Sequence, residues 1–318
     1  MVRFGAAADK KRPIIIDTDP GVDDAVAILL ALASPELDIR AMTVVAGNVE
    51  LPVAAANALR ICALAGRADI PVHAGADRPL RRPLATATAF HGSDGLGGVP
   101  FPQPAGAIAD GHAADVIVDI VRRSSQPVSI CALGPLTNVA LALERAPDVA
   151  DAIAEIVLMG GSWRAGGNVT PAAEFNIWCD PDAAGAVLAS GARIVVLPLD
   201  ATHQALATPE RVAALAAAEG SLADVAARLL GHGKVWADRR GMAGPAAHDS
   251  TVIGYVLSSE LFDGRHVHVA VETASELTRG VTVVDWWGRT GQPANARVIT
   301  QLDAERFFKL LIDRLGRL

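Results

Sequence analysis

The sequence predicts an α/β fold with a mostly parallel central sheet and helices on both faces. Short apolar runs alternate with segments in which apolar residues recur at helical spacing. Such strand–helix–strand alternation implies right-handed crossovers, which place successive strands parallel in one sheet. The chain shows neither a repeat of about 20–50 residues nor a long low-complexity linker. We therefore expect one domain over residues 1–318, in which residues 1–12 form a flexible N-terminal extension.

The predicted elements follow one another regularly along the chain. The first strand is the β-branched run Pro13–Ile16, which ends at Asp17, and helical spacing follows over residues 21–33. The later strands are short apolar runs, predicted at 39–45, 128–133, 153–159 and 193–199. The later helices have amphipathic or Ala-rich spacing, predicted at 53–65, 113–123, 136–144 and 212–218.

The composition excludes several classes of function. With 51% hydrophobic and 20% charged residues, the chain is typical of a globular protein and not of a disordered one. Its 28 basic and 35 acidic side chains give a formal net charge of −7, which argues against a general binder of nucleic acid or anionic membranes. The longest apolar run, Ala25–Ala33, is far shorter than the roughly 20 residues that span a bilayer.

Two further features predict a cytoplasmic protein. The first residues lack the apolar region of about 7–15 residues that a secretory signal peptide contains. The cysteines Cys62, Cys131 and Cys179 are far apart and form no CxxC pair, so neither a disulfide framework nor a thiolate zinc site is expected. We expect all three to be small buried core residues.

Polar and glycine residues follow the predicted strands where each strand ends. Asp17 and Asp19 follow the first strand, Asn48 follows the second, and Gly134 and Asp200 follow two later ones. In open parallel sheets, ligands bind beyond the carboxyl ends of the strands. We therefore expect the functional site at this edge, although loops of any protein are rich in polar residues.

The first of these loops is unusually acidic. Four carboxylates, Asp17, Asp19, Asp23 and Asp24, lie within eight residues, and like charges this close favour protonation unless a cation lies among them. The positive dipole end at the first turn of the following helix would stabilise the charges of Asp23 and Asp24. It does not explain Asp17 and Asp19, which lie at the end of a strand. Without cysteine ligands or clustered histidines, an oxygen-seeking cation such as Ca²⁺ or Mg²⁺ would be the ion held here.

Two later segments also carry side chains that suit a ligand. His248 and Asp249 precede an apolar stretch, so Asp249 either caps the next helix or ligates a metal, and His248 is either structural or a proton donor near pH 7. Asn168, Glu174 and Asn176 lie within nine residues, and amides donate and accept hydrogen bonds as sugar hydroxyls do. The same segment also fits a solvated loop with an Asx turn.

Taken together, these segments resemble the inosine–uridine-preferring nucleoside hydrolases, a family of N-ribohydrolases. The most specific motif is DTDPGVDDAVAI at residues 17–28, and the resemblance runs from Ile14 to about Val298. Seven shorter motifs follow in the family's order: AGN at 46–48, HGSDGLGG at 91–98, LGPLTNVALAL at 133–143, VLMGG at 157–161, NVTPAAEFN at 168–176, AAHD at 246–249 and TVVD at 282–285.

The resemblance implies a nucleoside hydrolase fold with a Rossmann-like core, bound Ca²⁺ and hydrolysis of ribonucleosides to free base and ribose in nucleoside salvage. It implies a metal site formed by the carboxylates of Asp19, Asp24 and Asp249 and the carbonyl of Leu133. Asp19 would also be the general base on the metal-bound water, and His248 the acid that protonates the leaving base. The implied ribose-binding residues are Asp23, Asn48, Asn168, Glu174, Asn176 and Asp249.

Further expectations follow from the resemblance and from its departures. Asp17 would support the site structurally, and the need for a vicinal diol predicts that 2′-deoxyribonucleosides are poor substrates. Many relatives have Thr where this chain has Leu133, but only the carbonyl ligates. Relatives often carry tyrosines near the base, whereas Trp236 is the sole aromatic residue of the 231–247 loop, where it either stacks on the base or only packs. The resemblance also implies a homo-oligomer, a tetramer or dimer.

Two alternatives remain open from the sequence. Asp17 and Asp19 after a strand also fit a Mg²⁺-dependent phosphohydrolase of the haloacid dehalogenase type, with Asp17 as nucleophile, although that family usually continues differently after the second acid. A non-catalytic relative that binds ribonucleosides is the other. His91 lies in a motif near the expected site, yet it also fits an ordinary loop residue. A Rossmann dehydrogenase is disfavoured because no GxGxxG follows the first strand.

Overall fold

The computed structural model describes residues 11–104 and 106–317, and within these ranges nine strands form one sheet. The strands, in chain order, are β1 (Arg12–Thr18), β2 (Leu37–Val44), β3 (Val72–Ala74), β4 (Val128–Ala132), β5 (Ile153–Met159), β6 (Ile194–Leu197), β7 (Phe262–Val271), β8 (Thr282–Asp285) and β9 (Ala296–Leu302). Residues 1–10 of the predicted N-terminal extension lie outside the described residues, and β1 begins within its remainder, at Arg12.

Helices occupy most of the connections between strands. The first seven are α1 (Val22–Leu32), α2 (Leu51–Leu64), α3 (Thr88–His91), α4 (Ala113–Arg123), α5 (Thr137–Arg145), α6 (Phe175–Cys179) and α7 (Pro181–Leu188). The others are α8 (Leu199–Thr202), α9 (Pro209–Ala216), α10 (Ser221–His232), α11 (Lys234–Arg239), α12 (Ser250–Leu257) and α13 (Ala304–Leu315), with 3₁₀ helices at Pro147–Ala150 and Ser259–Leu261.

The sheet is mostly parallel, as predicted. Its strand order is β3-β2-β1-β4-β5-β6-β9-β7-β8, and every pair from β3 to β9 is parallel. Among the described strands of the sheet, antiparallel pairing occurs only where β7 contacts β9 and β8. The parallel region follows from the strand–helix–strand alternation, whereas β7 to β9 form an antiparallel extension that the sequence did not predict.

Helices cover both faces of the sheet because the strands are apolar on both sides. Ile14 and Ile16 of β1 pack into one hydrophobic cluster with helices such as α1 and α10, while Ile15 packs into the opposite cluster with α4 and α5. All three isoleucines are fully buried, which contributes about 1.5–3 kcal/mol each relative to an exposed side chain. A strand buried on both faces is typical of parallel sheets.

Most predicted elements are present, with shifted ends. The strand at 153–159 and the helix at 113–123 match β5 and α4. The predicted strand at 193–199 is shorter, because Leu199 already begins α8 after Pro198, which cannot donate to a ladder. Of the helices described, none is both long and apolar enough to cross a bilayer.

Candidate active site

The site lies where the sheet reverses its strand order. The chain passes from β1 to β2 and β3 on one side, and then returns to place β4 on the other side of β1. The loops after β1 and β4 therefore diverge and leave a crevice at the carboxyl ends of these strands. The backbone N–H of Leu133 donates to the carbonyl of Asp17 (2.8 Å) and ties the two loops together.

Asp24 organises the turn that leads from β1 into α1. One carboxylate oxygen accepts from the Thr18 hydroxyl (2.6 Å), and the other accepts from the backbone N–H of Gly21 (3.0 Å) and from the Asn48 side-chain amide (2.9 Å). These bonds fix Asp24 at the N-terminal end of α1, where the helix dipole favours negative charge.

Asp19 is held in a close-fitting space between two loops. Its Oδ2 accepts from the backbone N–H of Asn48 (2.6 Å), whereas its buried Oδ1 has no hydrogen-bond partner. A Cβ atom on Gly47 would lie 2.1 Å from Oδ2, and one on Gly134 would lie 2.3 Å from Oδ1. Only glycine at both positions lets the carboxylate occupy this place.

The half-buried carboxylate of Asp23 clusters with three buried ones, those of Asp19, Asp24 and Asp249. One ligand atom from each of Asp23, Asp24 and Asp249 lies within 4.8 Å of the others. Burial raises the pKa of all four, and their mutual repulsion raises those of Asp19, Asp24 and Asp249 further. Among the described residues, no Lys or Arg forms an ion pair with them.

The cluster has the properties of a site for a hard cation. Its donors are all oxygen atoms, and the Oδ1 atoms of both Asp19 and Asp23 are buried without a partner. A positive ion would satisfy those atoms and remove the repulsion that now favours protonation. The closest carboxylate group comprises Asp23 with Asp24 and Asp249, whereas the sequence placed Asp19 among the metal ligands and Asp23 with the ribose.

A cavity of about 340 Å³ opens above the carboxylates. Most of the predicted site residues line it: Asp23, Asn48, Leu133, Asn168, Glu174, Asn176, His248 and Asp249. Asp19 and Asp24 do not line it, because both are fully buried beneath its floor. The structure thus brings the predicted residues together in two layers, with two acids below and the amides and remaining acids above.

Glu174, Asn168 and Asn176 are oriented by hydrogen bonds to backbone groups. Glu174 caps α6, with Oε1 accepting from the N–H of Asn176 (2.8 Å) and Oε2 from those of Ile177 (3.1 Å) and Gly161 (2.9 Å). Burial raises the pKa of Glu174 to about 7 despite these bonds. The Asn176 amide donates to the Leu133 carbonyl (2.7 Å), and Asn168 Oδ1 accepts from the N–H of Phe175 (2.8 Å).

A smaller cavity of about 70 Å³ adjoins the first and is mostly apolar. The two cavities share five lining residues: Asp23, Phe90, Trp236, Arg240 and His248. Trp236, whose role the sequence left open, therefore lies at their junction, with Phe90 edge-on to its ring at 5.9 Å. A polar pocket beside an apolar one suits a ligand with a sugar and a flat ring.

His248 lies at the same junction and is neutral in the free protein. Its Nδ1 is hydrogen-bonded to the Thr202 hydroxyl (2.8 Å). Burial, followed by the neighbouring His203, Arg240 and His91, lowers the pKa of His248 to about 3. The imidazole thus differs from the sequence-based expectation of a donor that titrates near pH 7.

His91 is part of the site and has a defined tautomer. Its Nδ1 accepts from the backbone N–H of Val22 (3.0 Å), the first residue of α1, so any proton on the neutral ring is on Nε2. The ring is buried, lines the larger cavity, and has its pKa lowered to about 4 by burial. His91 is therefore a neutral cavity residue and not a mobile loop side chain.

Asp17 is buried below the site and takes no part in the cavity. Its Oδ1 accepts from the Thr43 hydroxyl (2.6 Å) and the Asn138 amide (2.9 Å), and burial raises its pKa to about 7. This placement fits structural support and leaves no access for a substrate to a nucleophile at Asp17.

Sequence reasoning did not identify Phe90, Thr202 or Arg240 as site residues. Phe90 directly precedes the HGSDGLGG motif, and Arg240 lies in the loop region before His248, so position offered a signal for both. Thr202 has no such signal, because only the fold brings the end of α8 to His248.

Comparisons with known proteins identify the family of this chain. The family model described as inosine-uridine preferring nucleoside hydrolase matches residues 14–309. The uncharacterized protein C1683.06c of Schizosaccharomyces pombe is 46% identical over 96% of this chain and 99% of its own length. The pyrimidine-specific ribonucleoside hydrolase RihA of Shewanella sp. strain MR-7 is 44% identical over 96% of each chain.

A solved structure shows the same fold. The plant nucleoside hydrolase PpNRh1 superposes with a TM-score of 0.90 at 33% sequence identity, covering 96% of this chain and 99% of that one. Because the family model and the relatives each cover nearly the whole chain, the protein belongs to the inosine-uridine preferring nucleoside hydrolase family.

Proposed function

We propose that this protein hydrolyses the N-glycosidic bond of ribonucleosides to a free base and ribose, in a Ca²⁺-dependent reaction. One observation carries the proposal: four clustered carboxylates without a cationic partner in the described chain lie beneath and along one wall of a cavity that amides and a further acid also line. The membership of the family and the names of its relatives support the reaction class.

The metal would be held by the carboxylates of Asp19, Asp24 and Asp249 and the carbonyl of Leu133, with Asp23 directly beside them. When bound, Ca²⁺ would supply positive charge that orients the ribose 2′ and 3′ hydroxyls and the attacking water. The donor set supports an oxygen-seeking ion, since it contains neither a thiolate nor an imidazole.

The ribose would lie in the larger cavity. Asn48, Asn168 and Asn176 present amides that match its hydroxyls, while Asp23 and Asp249 accept from them. Binding through the vicinal diol implies that 2′-deoxyribonucleosides are poor substrates.

Bond cleavage would pass through a transition state with positive charge on the ribose, as in other glycosidic cleavages. Glu174 lies in the cavity wall and would stabilise that charge. Asp19 would accept a proton from the attacking water, and its unpartnered Oδ1 is the atom available for this.

His248 would donate a proton to the leaving base. Its position at the junction of the two cavities supports this role. Its imidazole is neutral in the free site, so His248 would first bind a proton from solvent as negative charge develops on the base beside it. The imidazolium would then donate that proton to the leaving base and return to the neutral form, with Nδ1 hydrogen-bonded to the Thr202 hydroxyl throughout.

The phosphohydrolase alternative is set aside, because the chain belongs to another family. The other alternative is a protein that binds ribonucleosides without hydrolysing them, and an activity assay must exclude it.

The decisive assay measures release of reducing sugar from inosine, adenosine, uridine, cytidine and thymidine. We expect turnover of one or more of the four ribonucleosides and little of thymidine. Asp19→Ala should lower the rate by about 10²-fold to 10⁴-fold, the range for loss of a general base. Tight binding without hydrolysis by the unaltered protein would contradict the proposal.

A second assay isolates His248. His248→Ala should slow good ribonucleosides by about 10²-fold or more and leave p-nitrophenyl riboside much less affected, since that leaving group needs no proton. Equal losses on both substrates would remove His248 from the acid role.

Assembly and location complete the proposal. We keep the expectations of a homo-oligomer, either a tetramer or a dimer, and of a cytoplasmic protein that acts in nucleoside salvage. The three cysteines are free and buried, which fits a reducing compartment.

A further inference from the structure

His203 lies between the smaller cavity of the site and an outer cleft of about 650 Å³. Among the described residues, it is the only one that lines both the smaller cavity and this cleft. The cleft is a surface feature, since the exposed side chains of Arg265 and Trp287 also line it. His203 therefore separates solvent from the apolar end of the site.

Two consecutive residues contact the imidazole of His248. Helix α8 ends at Thr202, whose hydroxyl is hydrogen-bonded to Nδ1 of His248 (2.8 Å), and His203 is the next residue. The ring of His203 lies edge-on to that of His248, with 5.6 Å between the ring centroids. At this separation the rings are in contact, so nitrogen atoms turned towards each other would lie at hydrogen-bond distance.

The Nε2 atom of His203 is buried without a hydrogen-bond partner, although buried polar atoms are nearly always paired. Asp200, three residues earlier, is already occupied. Its carboxylate oxygens accept from the backbone N–H groups of Trp163, Arg164 and Ala165, each at 2.9 Å. No structural hydrogen bond of Nε2 therefore explains why a histidine stands beside His248.

The charges around His203 let its ring release a proton easily. The charged or titratable residues that share a cavity with it are Asp23, Arg240 and His248 in the site and Arg164, Asp200 and Arg265 in the cleft. Burial, followed by Arg240, lowers the pKa of His203, and Asp200 opposes this shift. A ring with a lowered pKa holds a proton only briefly and passes it on readily.

We propose that His203 is a proton relay, which takes a proton from water in the outer cleft and passes it to His248 for donation to the leaving base. This inference rests on the proposed function. The C1′–N electron pair moves onto the base, which gains the relayed proton. The attacking water forms the bond to C1′ and gives its proton to Asp19, which returns it to solvent. His203 is a positioning residue, since it acts through His248 and ends each cycle neutral.

The first test compares kcat of His203→Ala on uridine and inosine with kcat on p-nitrophenyl riboside. Nucleoside turnover should fall by about 10-fold to 100-fold, at or below the lower end of what acid catalysis supplies. Turnover of p-nitrophenyl riboside should not change, because its leaving group needs no proton. His266→Ala is the matched control, since His266 is an exposed histidine on β7 that lines none of the three cavities. Equal losses on both kinds of substrate, or no loss on either, would overturn the inference.

Chemical rescue distinguishes a proton carrier from a packing residue. Imidazole in the buffer titrates near neutral pH, as a histidine side chain does, and the cleft gives it access to the space that His203→Ala leaves. We expect imidazole to restore most of the lost nucleoside turnover. Pyrazole has the same size but is too weakly basic to carry a proton near pH 7, so it should restore none. Equal rescue by both compounds, or rescue by neither, would overturn the inference.

A second variant keeps the test valid if His203→Ala folds poorly. His203→Gln retains a polar side chain that cannot carry a proton, so it should lose nucleoside turnover while its unfolding temperature stays close to that of the unaltered protein. Full nucleoside turnover by His203→Gln would overturn the inference. Failure of the unaltered protein to hydrolyse any ribonucleoside would instead overturn the proposed function itself.

Discussion

At the scale of single residues, the position of Asp19 depends on two glycines more than on its own hydrogen bonds. Gly47 and Gly134 come from different loops. Each lies so close to the Asp19 carboxylate that a Cβ atom at its position would clash with a carboxylate oxygen. The glycines of the AGN and LGPLTN motifs are therefore explained by the space that Asp19 needs.

We predict that Gly134→Ala lowers kcat by about 100-fold, because displacement of a reacting group by about 1 Å can cost that much. The measurement is steady-state turnover of uridine or inosine. Gly185→Ala is the control, since Gly185 lies within α7 with open space around it. That change should stabilise the protein by about 0.5–1 kcal/mol through helix propensity and leave turnover unchanged. Full activity of the Gly134→Ala variant would show that the position of Asp19 does not depend on a glycine at 134.

Asp17 gives a prediction about pH. Its folded-state pKa is about 7 against an ordinary value of 3.8, so between these values the folded protein keeps a proton that the unfolded chain releases. Stability must therefore fall as the pH rises from about 4 to 7, by up to about 4 kcal/mol from this one group.

Asp17→Asn should remove that loss, because the amide oxygen can accept from Thr43 and Asn138 as Asp17 does. We expect the variant to match the unaltered protein near pH 4 and to exceed it by a few kcal/mol near pH 8, both saturated with Ca²⁺. Urea unfolding at several pH values measures this. If the free energy of unfolding changes with pH in the same way for both proteins, Asp17 does not hold a proton in the folded protein.

At the scale of elements, Asp180 joins three segments below the site. Its Oδ1 accepts from the N–H of Ala183 and caps α7, and its Oδ2 accepts from the Thr137 hydroxyl on α5 and from the N–H of Leu80. All three donors would lose their partner together if the carboxylate were removed.

We expect Asp180→Ala to destabilise the protein by about 3 kcal/mol, from the lost cap and the unsatisfied buried donors. Asp182→Ala is the matched control, because Asp182 is two residues away and its closest cation, Arg81, is 3.8 Å distant. Its effect should stay below about 1 kcal/mol. Chemical unfolding of both variants measures these changes in the free energy of unfolding. Equal losses in the two variants would contradict the proposal that Asp180 joins the three segments.

The elements show what the sequence could predict and what it could not. Strands such as β5 and β1 are buried on both faces, so their apolar runs identify them directly. Strand β7 has exposed residues at several positions and pairs antiparallel at the sheet's edge, and its pattern is correspondingly weak. Leu199 belongs to an apolar run by sequence, yet the chain turns at Pro198 into α8.

At the scale of the whole molecule, topology assembles the site from loops that are distant in sequence. The strand order places the loops after β1 and β4 side by side, and the start of α12 brings Asp249 to them from more than 100 residues further along the chain. Motifs identified most of these residues, because each loop carries its own polar signature. Thr202 lacks such a signature and becomes a site residue only through packing.

The central claim is that the buried carboxylates hold a cation that the reaction requires. The most direct test is hydrolysis of uridine and inosine by protein stripped with EDTA, with Ca²⁺ then titrated back while the unfolding temperature is recorded. The account predicts no turnover without metal, and a return of activity together with a rise in unfolding temperature as Ca²⁺ is added. Full turnover by the stripped protein, or no effect of Ca²⁺ on its unfolding temperature, would contradict it.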